Sequence, residues 1–197
     1  MKYPDFFNTI ETITLQDKLS DFLGVFDEGT VEFSFLDVVK SAGHSCPTVL
    51  GAYLMTREGL KVLYKDEVPK RGEIQVEFNE NENDGVAGVI ASVVTQITGA
   101  TVNLGFKGLA GNFNRKNLML FDANINTNVR FTRKDIKESV EVVYDASTIP
   151  ADAKMSMLMQ RCIQNSATRE ERLEFGKLWQ DRVHLISQNT SHVIAVI

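Results

Sequence analysis

Cysteine, proline and tryptophan are scarce in this sequence, which has 2 cysteines, 4 prolines and 1 tryptophan among 197 residues, with 3 histidines. Two cysteines cannot make the usual four-cysteine zinc ribbon within one chain, so any chemistry is done with few soft ligands. The prolines Pro4, Pro47, Pro69 and Pro150 stand singly, and no linker, internal repeat or low-complexity tract divides the chain. No apolar run approaches the roughly 18 to 20 residues needed to span a bilayer. The stretch from Met1 to Phe7 lacks a basic region followed by an apolar one. A cytoplasmic protein with no membrane association is the expectation. Positive charge is not in excess either: 21 Lys+Arg stand against 26 Asp+Glu, a formal net charge of −5. The cations are scattered, whereas a phosphate-tracking protein clusters them, so nucleic acid is not an expected partner.

What is present is an ordinary globular composition, 43% apolar and 24% charged, long enough to bury a core without covalent staples. The pattern predicts an α+β fold: a mixed β-sheet core with flanking helices over 1–150, then a helical extension over 151–197 ending in a short strand. Leu15, Leu19, Phe22 and Leu23 recur at helical spacing, with Thr14 and Asp17 as N-cap and N3 and Gly24 as the stop. Val31, Phe33 and Phe35 alternate as a strand, and a helix follows from Pro47. Glu73 to Glu80 alternates as a half-buried strand, and Val86 to Ile97 has the i, i+3, i+4 spacing of a helix stopped by Gly99. Four strands are predicted over 102–106, 118–121, 129–131 and 140–144. Ala151 to Cys162 forms a helix, with Cys162 on its apolar side. Thr168 and Glu171 make a capping box that opens another helix through Trp179 and Ile186. His192 to Ile197 reads as a strand that pairs with a sheet edge of this chain or of a partner.

The chemistry concentrates at Gly43-His44-Ser45-Cys46-Pro47. Proline suits the first helical position, where its missing N–H is one the helix could not pair, so Cys46 falls at or beside the N-cap. Free N–H groups and the positive helix end there favour a thiolate, a better metal ligand or nucleophile. His44, two residues earlier on an extended loop, is placed to converge on the same point. His44 and Cys46 are therefore the candidate metal ligands and the candidate catalytic pair. Asp37 is a candidate to orient the imidazole or contact a ligand. A second candidate region is the loop from Gly105 to Arg115, where glycines permit close backbone approach and Lys107, Asn112 and Arg115 could hold an anionic group. Neither the Walker nor the dinucleotide glycine spacing occurs there.

The Gly43–Pro47 motif, preceded by Phe35, Asp37, Val38 and Val39, resembles the signature of the FmdE family, a component of formylmethanofuran dehydrogenase. Thr98-Gly99-Ala100-Thr101, followed by Gly105, Lys107 and Gly111-Asn112, is similar to the family's Thr-Gly-Cys-Thr helix end and Gly-Lys-Gly-Asn loop. The resemblance covers roughly 30–135. It implies an α+β core paired as a homodimer, with a metal pocket, often zinc, around the His and Cys, and a place in one-carbon metabolism. FmdE is not the molybdopterin-bearing part of the dehydrogenase, so that activity does not transfer. Some relatives add a C-terminal zinc finger, for which this chain has no cysteines after Cys162, and the family's second-motif Cys falls on Ala100. His184 and His192 are the remaining imidazoles that could complete a metal site, from the same chain or a dimer mate. Two alternatives stay open: a small thiol-dependent enzyme using Cys46 with His44, and a non-catalytic binding module that takes a small molecule or partner at the Gly105–Arg115 loop.

Overall fold

A computed structural model describes residues 1–197 and gives an α+β architecture with a two-stranded and a five-stranded sheet. In chain order the elements are β1 (Ile13–Gln16), α1 (Lys18–Phe22), β2 (Thr30–Phe33), α2 (Phe35–Ala42), α3 (Pro47–Tyr64), β3 (Ile74–Phe78) and α4 (Ala87–Thr98). They continue with β4 (Met119–Leu120), β5 (Val129–Arg133), β6 (Ser139–Tyr144), α5 (Met155–Ile163), α6 (Arg169–Gln188), α7 (Thr190–Val193) and β7 (Ile194–Val196). The large sheet runs β4-β3-β5-β6-β7, with β3 and β4 parallel and the other pairs antiparallel. Its mixed character follows from one long crossover: α4 and the loop behind it carry the chain from β3 back to lie parallel beside it, which no tight hairpin could do.

Helix α3 is the centre of the core. A helix buried around most of its circumference must be apolar on all sides, and α3 meets this with Leu50, Ala52, Tyr53, Leu54, Met55 and Leu60 all buried. It closes on the sheet at Gly59, where an added Cβ would lie 2.9 Å from the Phe131 ring of β5 and 3.0 Å from Val142 of β6. Glycine there is a packing requirement. One hydrophobic cluster of 36 residues runs from Phe6 to Ile194, so Val183 and Ile186 of α6 and Ile194 of β7 share the core of the preceding residues. No helix is long and apolar enough to cross a membrane.

Several expected elements differ. The first predicted helix divides into β1 and the single turn α1. Ile13 and Leu15 are buried while Thr14 and Gln16 are exposed, a period of two that pairs with β2 through Ile13↔Phe33 and Leu15↔Val31. Asp17 is itself the N-cap, accepting from the Leu19 and Ser20 amides at 3.0 and 3.3 Å. Phe35 starts a helix instead of extending a strand, because Ser34 and Asp37 form a capping box. The predicted strand over 102–106 is a loop, since Gly105 takes φ +102°, which no pleated strand allows. The terminal strand pairs within its own chain, β7 on β6, through Val142↔Val196 and Tyr144↔Ile194.

The capping box at the start of α6 is present as read from Thr168 and Glu171: the Glu171 amide donates to Thr168 Oγ1 at 3.2 Å, and the Thr168 amide donates to Glu171 Oε2 at 2.8 Å. Thr168→Ala is expected to cost about 1 kcal/mol, the ordinary value of an N-cap side chain, read as a lower urea midpoint with unchanged slope.

Candidate functional site

The start of α3 is built from three directions. Helix α2 ends on Gly43 at φ +75°, a left-handed conformation that glycine adopts at no steric cost, and this turns the chain sharply into His44. Cys46 is extended and caps α3, its Sγ accepting from the Val49 amide at 3.3 Å, with Pro47 at the first helical position. From α6, Trp179 Nε1 and Gln180 Nε2 both donate to the Ser45 carbonyl, at 2.9 and 3.2 Å. From β6, the Tyr144 hydroxyl donates to the Pro47 carbonyl at 2.8 Å, and the Asn128 side chain accepts from the Tyr144 amide at 2.8 Å. Burial pushes the Tyr144 hydroxyl up to about 12, so it stays a neutral donor across the physiological range. The segment around Cys46 is thus clamped by parts of the chain about 100 and 130 residues downstream. Trp179, Gln180 and Tyr144 are site residues the motif itself does not announce; the sole tryptophan of the sequence was the available signal.

Cys46 is half-buried against the core, whereas His44 is exposed. The His44 Nδ1 lies 3.0 Å from the Ala42 carbonyl. A carbonyl can only accept, so Nδ1 carries the proton in the neutral ring and Nε2 keeps its lone pair facing outward, which is how a metal-binding imidazole is commonly held. His44 also lines a cavity of about 260 Å³ between the end of α2 and α4, with Ser41, Ser92 and Gln96; Cys46 is not part of its wall.

The other candidates are placed as follows. Asp37 sits in the first turn of α2, and its carboxylate accepts from the Ser34 amide at 3.0 Å and the Ser34 hydroxyl at 2.6 Å. Burial opposes ionisation of Asp37, but these Ser34 hydrogen bonds and Lys40 hold its carboxyl below the usual range. Asp37 lies in the first turn of α2 and His44 beyond its C-terminal cap, and the hydrogen bond of the imidazole goes to Ala42 instead. Ala100 is fully buried and brings no donor to the helix start. His184 stacks on Phe6 with centroids 4.5 Å apart, and His192 is exposed on α7. No group of three or more His, Cys, Asp or Glu side chains is arranged to hold a metal ion. His44 and Cys46 are the two residues of zinc-ligand type at the helix start, short of the four that a closed structural site needs.

The loop candidates separate. Lys107 is exposed. Asn112 is held in a tight turn with Leu109 by two main-chain hydrogen bonds of 2.9 Å and lines a polar cavity of about 290 Å³. Arg115, the other candidate to hold an anionic group, is only 6% exposed and donates from Nη2 to Asp17 Oδ1 at 2.6 Å. Arg71 donates to the other Asp17 oxygen at 2.9 Å. Sequence separation hid this triad: Asp17, Arg71 and Arg115 belong to three distant segments.

The fold and this helix start define an α+β protein whose central helix begins on a cysteine cap clamped from α6 and β6. A family model described as FmdE, molybdenum formylmethanofuran dehydrogenase operon, matches residues 42–194. The chain belongs to the FmdE family, and the matched region begins immediately before the Gly43–Pro47 motif. No curated protein matches the chain.

Proposed function

We propose that this protein serves formylmethanofuran-linked one-carbon metabolism in the cytoplasm as a homodimer, and that it binds a transition metal ion, zinc, at the start of α3 through His44 and Cys46. The observation that carries the reading is the Cys46 sulfur capping α3, where it accepts from the Val49 N–H at the N-terminal end of the helix. The tautomer imposed on His44 by Ala42 supports it, because Nε2 is left as the donor atom. Water or groups from a second copy of the chain would have to complete the site, and a metal held there would supply Lewis-acid chemistry toward an oxygen-bearing ligand. The residues of this chain present the two donors, and Trp179 and Tyr144 keep the backbone carrying Cys46 still. Both cysteines are free thiols, as a reducing compartment keeps them.

Elemental analysis after zinc loading and desalting tests the proposal. The expected result is about one zinc per chain in the wild type, with little retained by Cys46→Ala or His44→Ala. Equal zinc in wild type and both variants, or none in any, overturns it. Light scattering on the same samples reads the dimer.

A further inference from the structure

Beyond the helix start, a second cleft opens on the molecule, between the segment after α1 and the loop after α4. It has a volume of about 410 Å³, within the range of small-ligand sites. Its apolar wall comprises Leu19, Leu23, Val25, Phe26 and Phe106, with Leu23 58% and Phe26 49% exposed. Exposed apolar side chains gathered round a cavity mark a binding surface more often than scattered ones do. At the polar end lie Arg71, Arg115 and Asp17, the only charged groups in the lining, with a sum of +1.

The hydrogen bonds at this end are unevenly filled. Arg71 is satisfied: Nη1 donates to Asp17 at 2.9 Å, Nε to the Ile97 carbonyl at 2.9 Å and Nη2 to the Gln96 carbonyl at 2.9 Å. Arg115 has its single Asp17 bond from Nη2, and its buried Nε, which has no acceptor, is packed against Gly72, outside this cleft. Its Nη1 packs against Gly99, at the wall of the cleft, so closely that no side chain could replace that hydrogen. Ser20 Oγ, also in the lining, is buried without a partner. A buried donor left unmade costs more than an ordinary hydrogen bond contributes. Ser20 Oγ and Arg115 Nη1, which makes no hydrogen bond beside Gly99, are the two donors at this end that an acceptor from outside would meet.

We propose that this cleft binds a small organic monoanion, a carboxylate joined to an apolar body. Arg115 and Ser20 take the carboxylate, and Leu23, Val25, Phe26 and Phe106 cover the hydrocarbon. A planar guanidinium matches a carboxylate, and Asp17 already neutralises one of the two arginines, which limits the ligand to a single negative charge. The site stands apart from His44 and Cys46, neither of which lines it.

The test uses 4-phenylbutyrate and its neutral amide as probes of the full chain, titrated separately and followed by amide shifts in two-dimensional NMR. The acid is expected to shift Ser20, Leu23, Gly99 and Phe106, and to bind about tenfold or more tightly than the amide, the ratio set by a charge-assisted hydrogen bond. Phe106→Asp, on an exposed loop, places a like charge in the cleft and is expected to weaken the acid about tenfold while the protein's melting curve is kept. Equal binding of acid and amide, no shifts at these residues up to about 10 mM probe, or unchanged binding of the acid by Phe106→Asp each overturn the proposal. Zinc content is unaffected by any of these outcomes, so the two sites fail or stand separately.

Discussion

Asp17→Ala is expected to lower the unfolding free energy by about 3–5 kcal/mol, because it removes the shared counter-ion of two largely buried arginines. Asp17 is 5% exposed, and its two oxygens separately receive Arg71 and Arg115. The same side chain caps α1, a further contribution of about 1 kcal/mol. Replacing the charge alone, Asp17→Asn, keeps most of the cap and isolates the ionic part. Acid dependence separates the two further. Burial works against ionisation of Asp17, yet the hydrogen bonds from Arg115 and Arg71 outweigh it and hold the carboxyl below its ordinary value of 3.8. A carboxyl depressed in the folded state contributes stability in full above its unfolded value and loses it as pH falls through the folded value. The gap between wild type and Asp17→Asn, measured as urea midpoints, is therefore expected to be wide at pH 7 and to narrow below about pH 4. A gap independent of pH down to about 2 would show that Asp17 acts as a cap and not as a charge.

Alanine introduced at two helical glycines is expected to act with opposite signs. At Gly51, one turn into α3, an added Cβ would come within 2.6 Å of the Tyr144 ring carbons Cδ1 and Cζ. The ring cannot simply swing aside, since its hydroxyl is tied to the Pro47 carbonyl and its main chain to Asn128. Alanine gains up to about 1 kcal/mol of helix propensity over glycine, but overpacking of this kind costs about 1–3 kcal/mol and releases the Tyr144 clamp as well. The clash wins, and Gly51→Ala is expected to destabilise by about 1–2 kcal/mol and to reduce zinc retained at Cys46. Gly176, on the exposed face of α6, has nothing within 4 Å of an added Cβ. Gly176→Ala is expected to stabilise by about 0.5–1 kcal/mol. Thermal melts of the two variants beside wild type read both effects, and a stabilised Gly51→Ala would mean that Tyr144 yields freely.

Where local rules act, the chain is readable from its residues. The Pro47 helix, the alternating strand at Ile74, the Gly99 stop and the Thr168 capping box each depend on residues within about four positions of one another. The motif at Gly43–Pro47 belongs to this group, since a left-handed glycine, a capping sulfur and an N1 proline are neighbours in the chain. Misreadings arose where two local rules competed. Leu15 fits a helix with Leu19 and a strand with Ile13, and only the partner strand β2, which buries Ile13 and Leu15 together, decides between them. Val102 to Phe106 has strand-like residues, but the backbone bonds that could have made a ladder go to Arg115 and Asn117 in a glycine-bent loop.

The scarce cysteine, histidine and tryptophan mark the division between sequence and tertiary structure. That one cysteine and one histidine stand together at a helix start was determined by the sequence alone, because helix capping is a property of adjacent residues. That this start is clamped by the single tryptophan, that Arg115 is buried on Asp17 instead of reaching toward solvent, and that Cys46 and His44 differ in exposure were decided only by the tertiary structure. Those features depend on which distant segments the core brings together, and the core is selected by the burial of apolar area summed over the whole chain. No short stretch of residues encodes that sum.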